Sequence, residues 1–146
     1  MRYLMIVKAT PMSERGEFPP DAEKMFAEMG AFNDEMIAAG VMLDAAGLKP
    51  SSAGKRVRFE SRGQTVVTDG PFAETKELIA GFWIIQCKDM DEALGWARRV
   101  PFDDGEVELR PFHEPEDFAG LVSDEIMAQE QGWREQQQNK APRPAG

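Results

Sequence analysis

Thiol and imidazole groups are almost absent from this chain: among 146 residues there is one cysteine and one histidine. A lone thiol, Cys87, cannot close an intrachain disulfide. One thiol and one imidazole are too few ligands for a zinc or transition-metal cage, and nothing matches a calcium loop. Positive charge is also in short supply. Seventeen Lys and Arg face 26 Asp and Glu, a net charge of −9. That balance opposes the basic footprint of a nucleic-acid binder and is repelled by an anionic membrane surface. Long apolar runs are missing as well. No stretch approaches the roughly 18 apolar residues of a membrane span, and residues 1–11 lack the extended apolar segment of a secretory signal. The expectation is a cytoplasmic protein with no metal and no cofactor, and with neither nucleic acid nor membrane as partner.

What is present is the make-up of one globular domain: 42% hydrophobic and 29% charged residues, enough for a single buried core at this length. Residues 2–8 (RYLMIVK) read as a buried strand, and residues 9–20 as an exposed loop rich in Pro, Gly and polar groups. Then the period lengthens. Ala22, Met25, Phe26, Met29, Phe32, Asn33, Met36 and Ile37 recur at three- and four-residue steps, an amphipathic helix stopped at Gly40. Gly30 inside it costs up to about 1 kcal/mol relative to Ala, which points to close packing there. Residues 41–49 form a second strand, and residues 55–61 and 65–68 a half-exposed hairpin. Residues 79–87 (IAGFWIIQC) are nearly all apolar and belong at the centre of a sheet. Asp89 with Glu92 forms a capping box that opens a helix ended by Pro101. Residues 106–113 are a last strand, closed by His113.

The order is β-α-β, a small hairpin, β-α-β and a helical tail. It predicts an α+β fold: a ferredoxin-like, split-βαβ antiparallel sheet with helices on one face and an extra C-terminal helix. The domain spans 1–118, followed by a helical extension, 119–146, whose last eight residues (NKAPRPAG) are expected to be disordered. The sheet face without helices needs cover, and a second copy of the same sheet is the simplest one, so a homodimer is expected.

The least ordinary stretch is residues 66–85, VVTDGPFAETKELIAGFWII. Asp69-Gly70 is a strong turn signal, and Pro71 stiffens it. Asp69 either caps its own turn or serves as a base. Phe72 either plugs the core or lines a pocket. Lys76, with Glu74 and Glu77, is a solvated face unless it folds into a cleft. His113 titrates near neutrality and is a second candidate base; a strand-end surface position is its ordinary reading. As a haem ligand it stands alone. Met29, Met36 and Trp83 are core residues first; with Asn33 they are also candidates to line a ligand pocket. The basic hairpin of Lys55, Arg56, Arg58 and Arg62 is a solvated strand face or a docking surface for an acidic partner.

The strings MRYLMIVKA, VTDGPFAETKELIAGFWII and ELRPFHEPEDFAG resemble the YCII-related family, in its DGPF branch. The resemblance spans about residues 1–118 and implies a dimeric ferredoxin-like α/β barrel. Members of that branch are often encoded beside extracytoplasmic-function sigma factors, which implies a regulatory setting and a protein partner within it. The YCII branch resembles muconolactone isomerase in shape and carries a His on its first helix and an Asp after its second. Here the first helix has Phe32, Asn33 and Met36 and no His. Val100 stands at the Asp position before Pro101-Phe102, with Asp103 and Asp104 too late. That activity therefore does not transfer. Three functions follow as expectations. The first is a homodimeric small-molecule-binding or regulatory accessory protein. The second is an enzyme that transfers a proton on a small, largely apolar substrate, with Asp69 or His113 as base and Lys76 stabilising charge. The third is a structural module that binds a protein partner.

Overall fold

The computed structural model describes residues 1–73 and 76–139. The chain divides into two compact units, Met1–Phe112 and His113–Gly146. In the first, strand β1 (Arg2–Lys8) leads to a single helical turn, α1 (Pro11–Glu14), and then to helix α2 (Ala22–Ala38) and strand β2 (Met42–Gly47). A hairpin of β3 (Lys55–Phe59) and β4 (Thr65–Asp69) follows. Strand β5 (Ile79–Gln86), helix α3 (Met90–Ala97) and strand β6 (Val107–Pro111) complete the unit. The second unit holds a 3-10 turn, Pro115–Phe118, and helix α4 (Asp124–Gln138), capped by the Ser123 side chain.

Four strands form an antiparallel sheet in the order β2-β5-β1-β6. Each pair of strands joined through a helix is split by another strand: β5 lies between β1 and β2, and β1 lies between β5 and β6. That is the split-βαβ arrangement, so the chain has a ferredoxin-like α+β fold with an added C-terminal helix. The near-continuous apolar run of β5 is central, as its composition demands.

Strand register sorts the side chains by face. Tyr3 opposes Ile85 and Met5 opposes Trp83. These four are buried with Phe32 and Met36 of α2 and Ala93 of α3, so both helices cover the same face. On the other face Leu4 opposes Ile84 and Ile6 opposes Phe82. All four are half-buried, and Lys8, bonded to Glu108 at 3.3 Å, sits beside them.

Several local expectations change. Residues 9–20 contain a turn of helix, because Thr10 caps α1 reciprocally with Ser13 and Pro11 occupies its first turn. Asp89 accepts from the Glu92 amide at 2.9 Å as expected, but Glu92 reaches past it to the Lys88 amide at 2.7 Å. Helix α3 ends at Ala97, before Pro101. Phe26, on the apolar period of α2, is exposed and stacks on Phe18 with centroids 5.7 Å apart. Among the described residues nothing lies within 4 Å of a Cβ built on Gly30, so none of them packs closely against that glycine. Strand β6 stops at Pro111, which leaves His113 outside it. Of the tail expected to be disordered, residues 140–146 lie outside the described residues. No helix among the described residues is long and apolar enough to cross a membrane.

Candidate functional site

Three segments remote in sequence meet at the Asp69-Gly70-Pro71-Phe72 corner. The first is α1, whose short length leaves Glu14 at its end. The second is the 3-10 turn Ser51–Ala53, entered from Pro50. The third is the corner itself, with a cis Gly70–Pro71 peptide bond. Ser51 ties them together. Its amide donates to Glu14 Oε1 at 3.1 Å, and its hydroxyl donates to Glu14 Oε2 at 2.5 Å. The same Oγ accepts the Phe72 amide at 3.1 Å. One hydroxyl thus links a helix end to the corner, donating to one and accepting from the other.

Gly70 is held tighter still. Its amide donates to the Gly54 carbonyl at 3.0 Å. A Cβ at this position would fall 1.8 Å from the Ser51 carbonyl oxygen and 2.7 Å from its carbon. Only glycine lets the two backbones approach this closely. Beyond it the Phe72 ring is half-buried, with the Arg56 guanidinium 3.9 Å above its centroid, a cation–π contact.

A hollow of ≈ 310 Å³ opens beside this junction. Leu48, Pro50, Phe72, Leu78 and Ile79 make its apolar wall, and Glu14, Ser51 and Lys49 its polar edge. Its size and lining suit a small organic molecule with one polar end. A second hollow, of ≈ 260 Å³, lies where Val41, Gln86, Cys87 and Glu92 meet. There Gln86 Nε2 already donates to the Gly40 carbonyl at 2.8 Å. The Cys87 thiol is pushed up from its ordinary value, first by burial and then by Glu92, so it is a poor nucleophile. Among the described residues, no group of three His, Cys, Asp or Glu gathers as a metal would require.

The residues singled out from sequence are dispersed. Asp69 is the last residue of β4; its carboxylate pairs with Lys55 across the hairpin ladder and is 74% exposed. It therefore ties the hairpin's base, where a cap on its own turn was one expectation. Phe72 lines the first hollow. Lys76 is exposed, and its neighbours Glu74 and Thr75 lie outside the described residues. His113 belongs to the second unit, 78% exposed, with Nδ1 3.6 Å from the Asp117 carboxylate and its ring against Phe118. Met36 and Trp83 are core residues, and Met29 packs against them. Asn33 accepts the Trp83 indole N–H at 2.8 Å, which satisfies a buried donor. None of these four lines either hollow.

Glu14 and Ser51 were missed in the sequence. The Thr10-Pro11-Met12-Ser13 cap and the Pro50-Ser51 turn were there to be read. Their meeting across 37 residues was not.

Comparison with known proteins places the chain beside a family, a relative and a solved structure. The model of the YCII-related domain matches residues 1–114. An uncharacterised protein of Rhizobium meliloti (strain 1021) is 39% identical over 92 residues, which cover 61% of this chain and 73% of that protein. Among solved structures, a 5-chloro-2-hydroxyhydroquinone dehydrochlorinase from Burkholderia phenoliruptrix, in complex with 2,5-dihydroxybenzoquinone, aligns with 80% of this chain and 98% of its own. Its TM-score is 0.38 at 16% identity, too distant a likeness to bear on chemistry.

Proposed function

Since the chain belongs to the YCII-related family, we propose that it is a small-molecule-binding accessory protein of the DGPF branch, a cytoplasmic homodimer. Its ligand occupies the hollow beside Phe72. The ligand has a flat apolar body, which lies on Phe72, Leu78 and Ile79, and a carboxylate or other anionic end that meets Lys49 at the rim. Small aromatic acids are the class that fits. The partner subunit covers the half-buried Leu4, Ile6, Phe82 and Ile84 face of the sheet. The sigma-factor setting of the branch supplies the regulatory role in which a bound ligand is sensed.

One observation carries the binding reading. The apolar hollow adjoins the corner, while the carboxylates nearest to it are engaged in holding the fold, Asp69 by Lys55 and Glu14 by Ser51. A thermal-shift series with benzoate, hydroxybenzoates and aliphatic acids tests it. A ligand at about 100 times its dissociation constant adds about 2.7 kcal/mol of stability, and hence a rise of several degrees in melting temperature. Phe72→Ala and Lys49→Ala should each abolish the rise. If no acid moves the melting temperature, this ligand class is wrong.

A second reading, an enzyme, has one observation in its favour: Glu14 faces the hollow and already accepts a hydrogen bond from the Ser51 hydroxyl at 2.5 Å. It predicts turnover that Glu14→Gln eliminates and that Asp69→Asn leaves intact.

A further inference from the structure

The hollow beside Phe72 already faces a carboxylate of its own. Glu14 lines it, half-buried at the end of α1. The Ser51 amide and hydroxyl hold its two oxygens, and among the described residues no ion pair neutralises it. Two anions close together in one small hollow each disfavour the other's charged form. An acid that enters beside Glu14 meets that repulsion, and an acid that replaces Glu14 does not.

Ser51 is arranged to hold a carboxylate, whichever molecule brings it. Its Oγ accepts the Phe72 amide at 3.1 Å, which leaves the hydroxyl proton to be donated away from the corner. Its own amide is the second donor, 3.1 Å from Glu14 Oε1, and the hydroxyl takes the other oxygen, Oε2, at 2.5 Å. Both donors belong to a residue that lines the hollow. Glu14, for its part, stands on a segment that is lightly held. Helix α1 is a single turn with no buried residue. The amides of Glu14, Arg15, Gly16 and Glu17 donate to Thr10, Pro11, Ser13 and Met12, all within the segment. Among the described residues, the hydrogen bonds that tie residues 10–17 to the rest of the unit are the two from Ser51.

We propose, on the binding reading above, that Glu14 is a stand-in for the ligand: an aromatic acid displaces it, takes both Ser51 donors with its own carboxylate, and frees α1. The two hydrogen bonds are exchanged like for like. Burial of the ring against Phe72, Leu78 and Ile79, with Lys49 at the rim, drives the exchange. Release of α1 is then the surface change by which occupancy is signalled, and the empty protein is held in its other state by its own carboxylate.

Two measurements on the full chain test it, with benzoate and hydroxybenzoates as the acids and benzyl alcohol as the same ring without a carboxylate. In hydrogen exchange, the acids should speed the amides of residues 14–17 about tenfold while slowing those of β5. Benzyl alcohol should not speed them. In calorimetric titration, Glu14→Ala should bind the acids about tenfold more tightly than the wild type, because the competing carboxylate is gone. Its residues 14–17 should already exchange fast before any acid is added. Ser51→Ala should weaken the acids about tenfold more than it weakens benzyl alcohol. Circular dichroism checks that both variants fold, and Glu14→Ala alone decides the matter if Ser51→Ala does not. Acids that bind yet leave residues 14–17 as slow as before, or that bind Glu14→Ala no better than the wild type, overturn the exchange and leave the binding reading standing. If neither the wild type nor Glu14→Ala binds any of the acids, that reading falls with it.

Discussion

Replacing Gly70 by alanine tests whether the corner is the rigid junction its contacts describe. The added methyl carbon would sit 1.8 Å from the Ser51 carbonyl oxygen and 3.3 Å from that of Gly54. Both obstacles are backbone atoms, with no rotamer to move. The Ser51 carbonyl is further held by the Gly54 amide at 2.9 Å. The corner must therefore lift away. Lifting breaks the bonds from the Gly70 amide to Gly54 and from the Phe72 amide to Ser51, each worth about 1 kcal/mol. It also separates Arg56 from the Phe72 ring, about 0.5–1 kcal/mol, and exposes part of that ring, about 1 kcal/mol. The loss expected for Gly70→Ala is thus about 3.5–4 kcal/mol. Urea denaturation measures the total, and hydrogen exchange locates it. The amides at positions 70 and 72 should lose protection entirely, while that of Gly54, which holds the Ser51 carbonyl in place, and those of β1 and β5 stay protected up to the lowered global stability. Gly30→Ala is the matched control. It lies in a helix with nothing among the described residues within 4 Å of the new carbon, and should stabilise by up to about 1 kcal/mol. A Gly70→Ala loss under about 1 kcal/mol, with amide 72 still protected, would show that the two backbones can separate freely, and the reasoning would fail.

Two further outcomes follow from the core and the sheet. Asn33→Ala removes the acceptor of the Trp83 indole and leaves a buried N–H unpaired, a loss of about 2 kcal/mol by urea denaturation. In the Trp83→Phe background the same change should cost far less, and equal costs in the two backgrounds would deny the bond any energetic role. At Glu108, the hydrogen bond from Lys8, then its charge, holds the carboxyl below the usual glutamate value of 4.5, with Arg110 assisting and burial opposing. A depressed folded-state pKa gives stability that is fully present above that usual value and is lost as pH falls through the folded value. Lys8→Met should raise the Glu108 midpoint in a carboxyl NMR titration and flatten the stability profile below pH 4.5. A midpoint that does not move would assign the shift to something other than Lys8.

The sheet and its helices were legible because they depend on periods that a single segment displays. The three- and four-residue recurrence of α2 and the unbroken apolar run of β5 identify one helix and one central strand without help from elsewhere. The Asp89–Glu92 cap likewise lies within four residues. Legibility ended where a segment is too short to show a period or where its partner is remote. Four residues of α1 cannot display amphipathicity, so only its cap betrays it. Phe26 obeys the period of α2 and yet is exposed, because it lies near the helix start and pairs with Phe18. Periodicity names a face, but it does not say how far along the helix the sheet extends beneath that face.

The corner shows the same limit at the site. Asp69-Gly70-Pro71-Phe72 stands out as a string, and a distinctive string invites the idea that its charged member does chemistry. The contacts give each of its members a structural task. Gly70 is required because Ser51 presses on it, Phe72 lines the hollow and carries the Arg56 guanidinium over its ring, and Asp69 anchors the hairpin through Lys55. Each requirement is steric or structural, and each is imposed by a segment some 14 to 21 residues away. A motif can therefore mark a place where backbones must converge without marking a reacting atom. The place to look for a ligand is the space that the motif frames, with Phe72 as its wall and Glu14 and Lys49 as its polar edge.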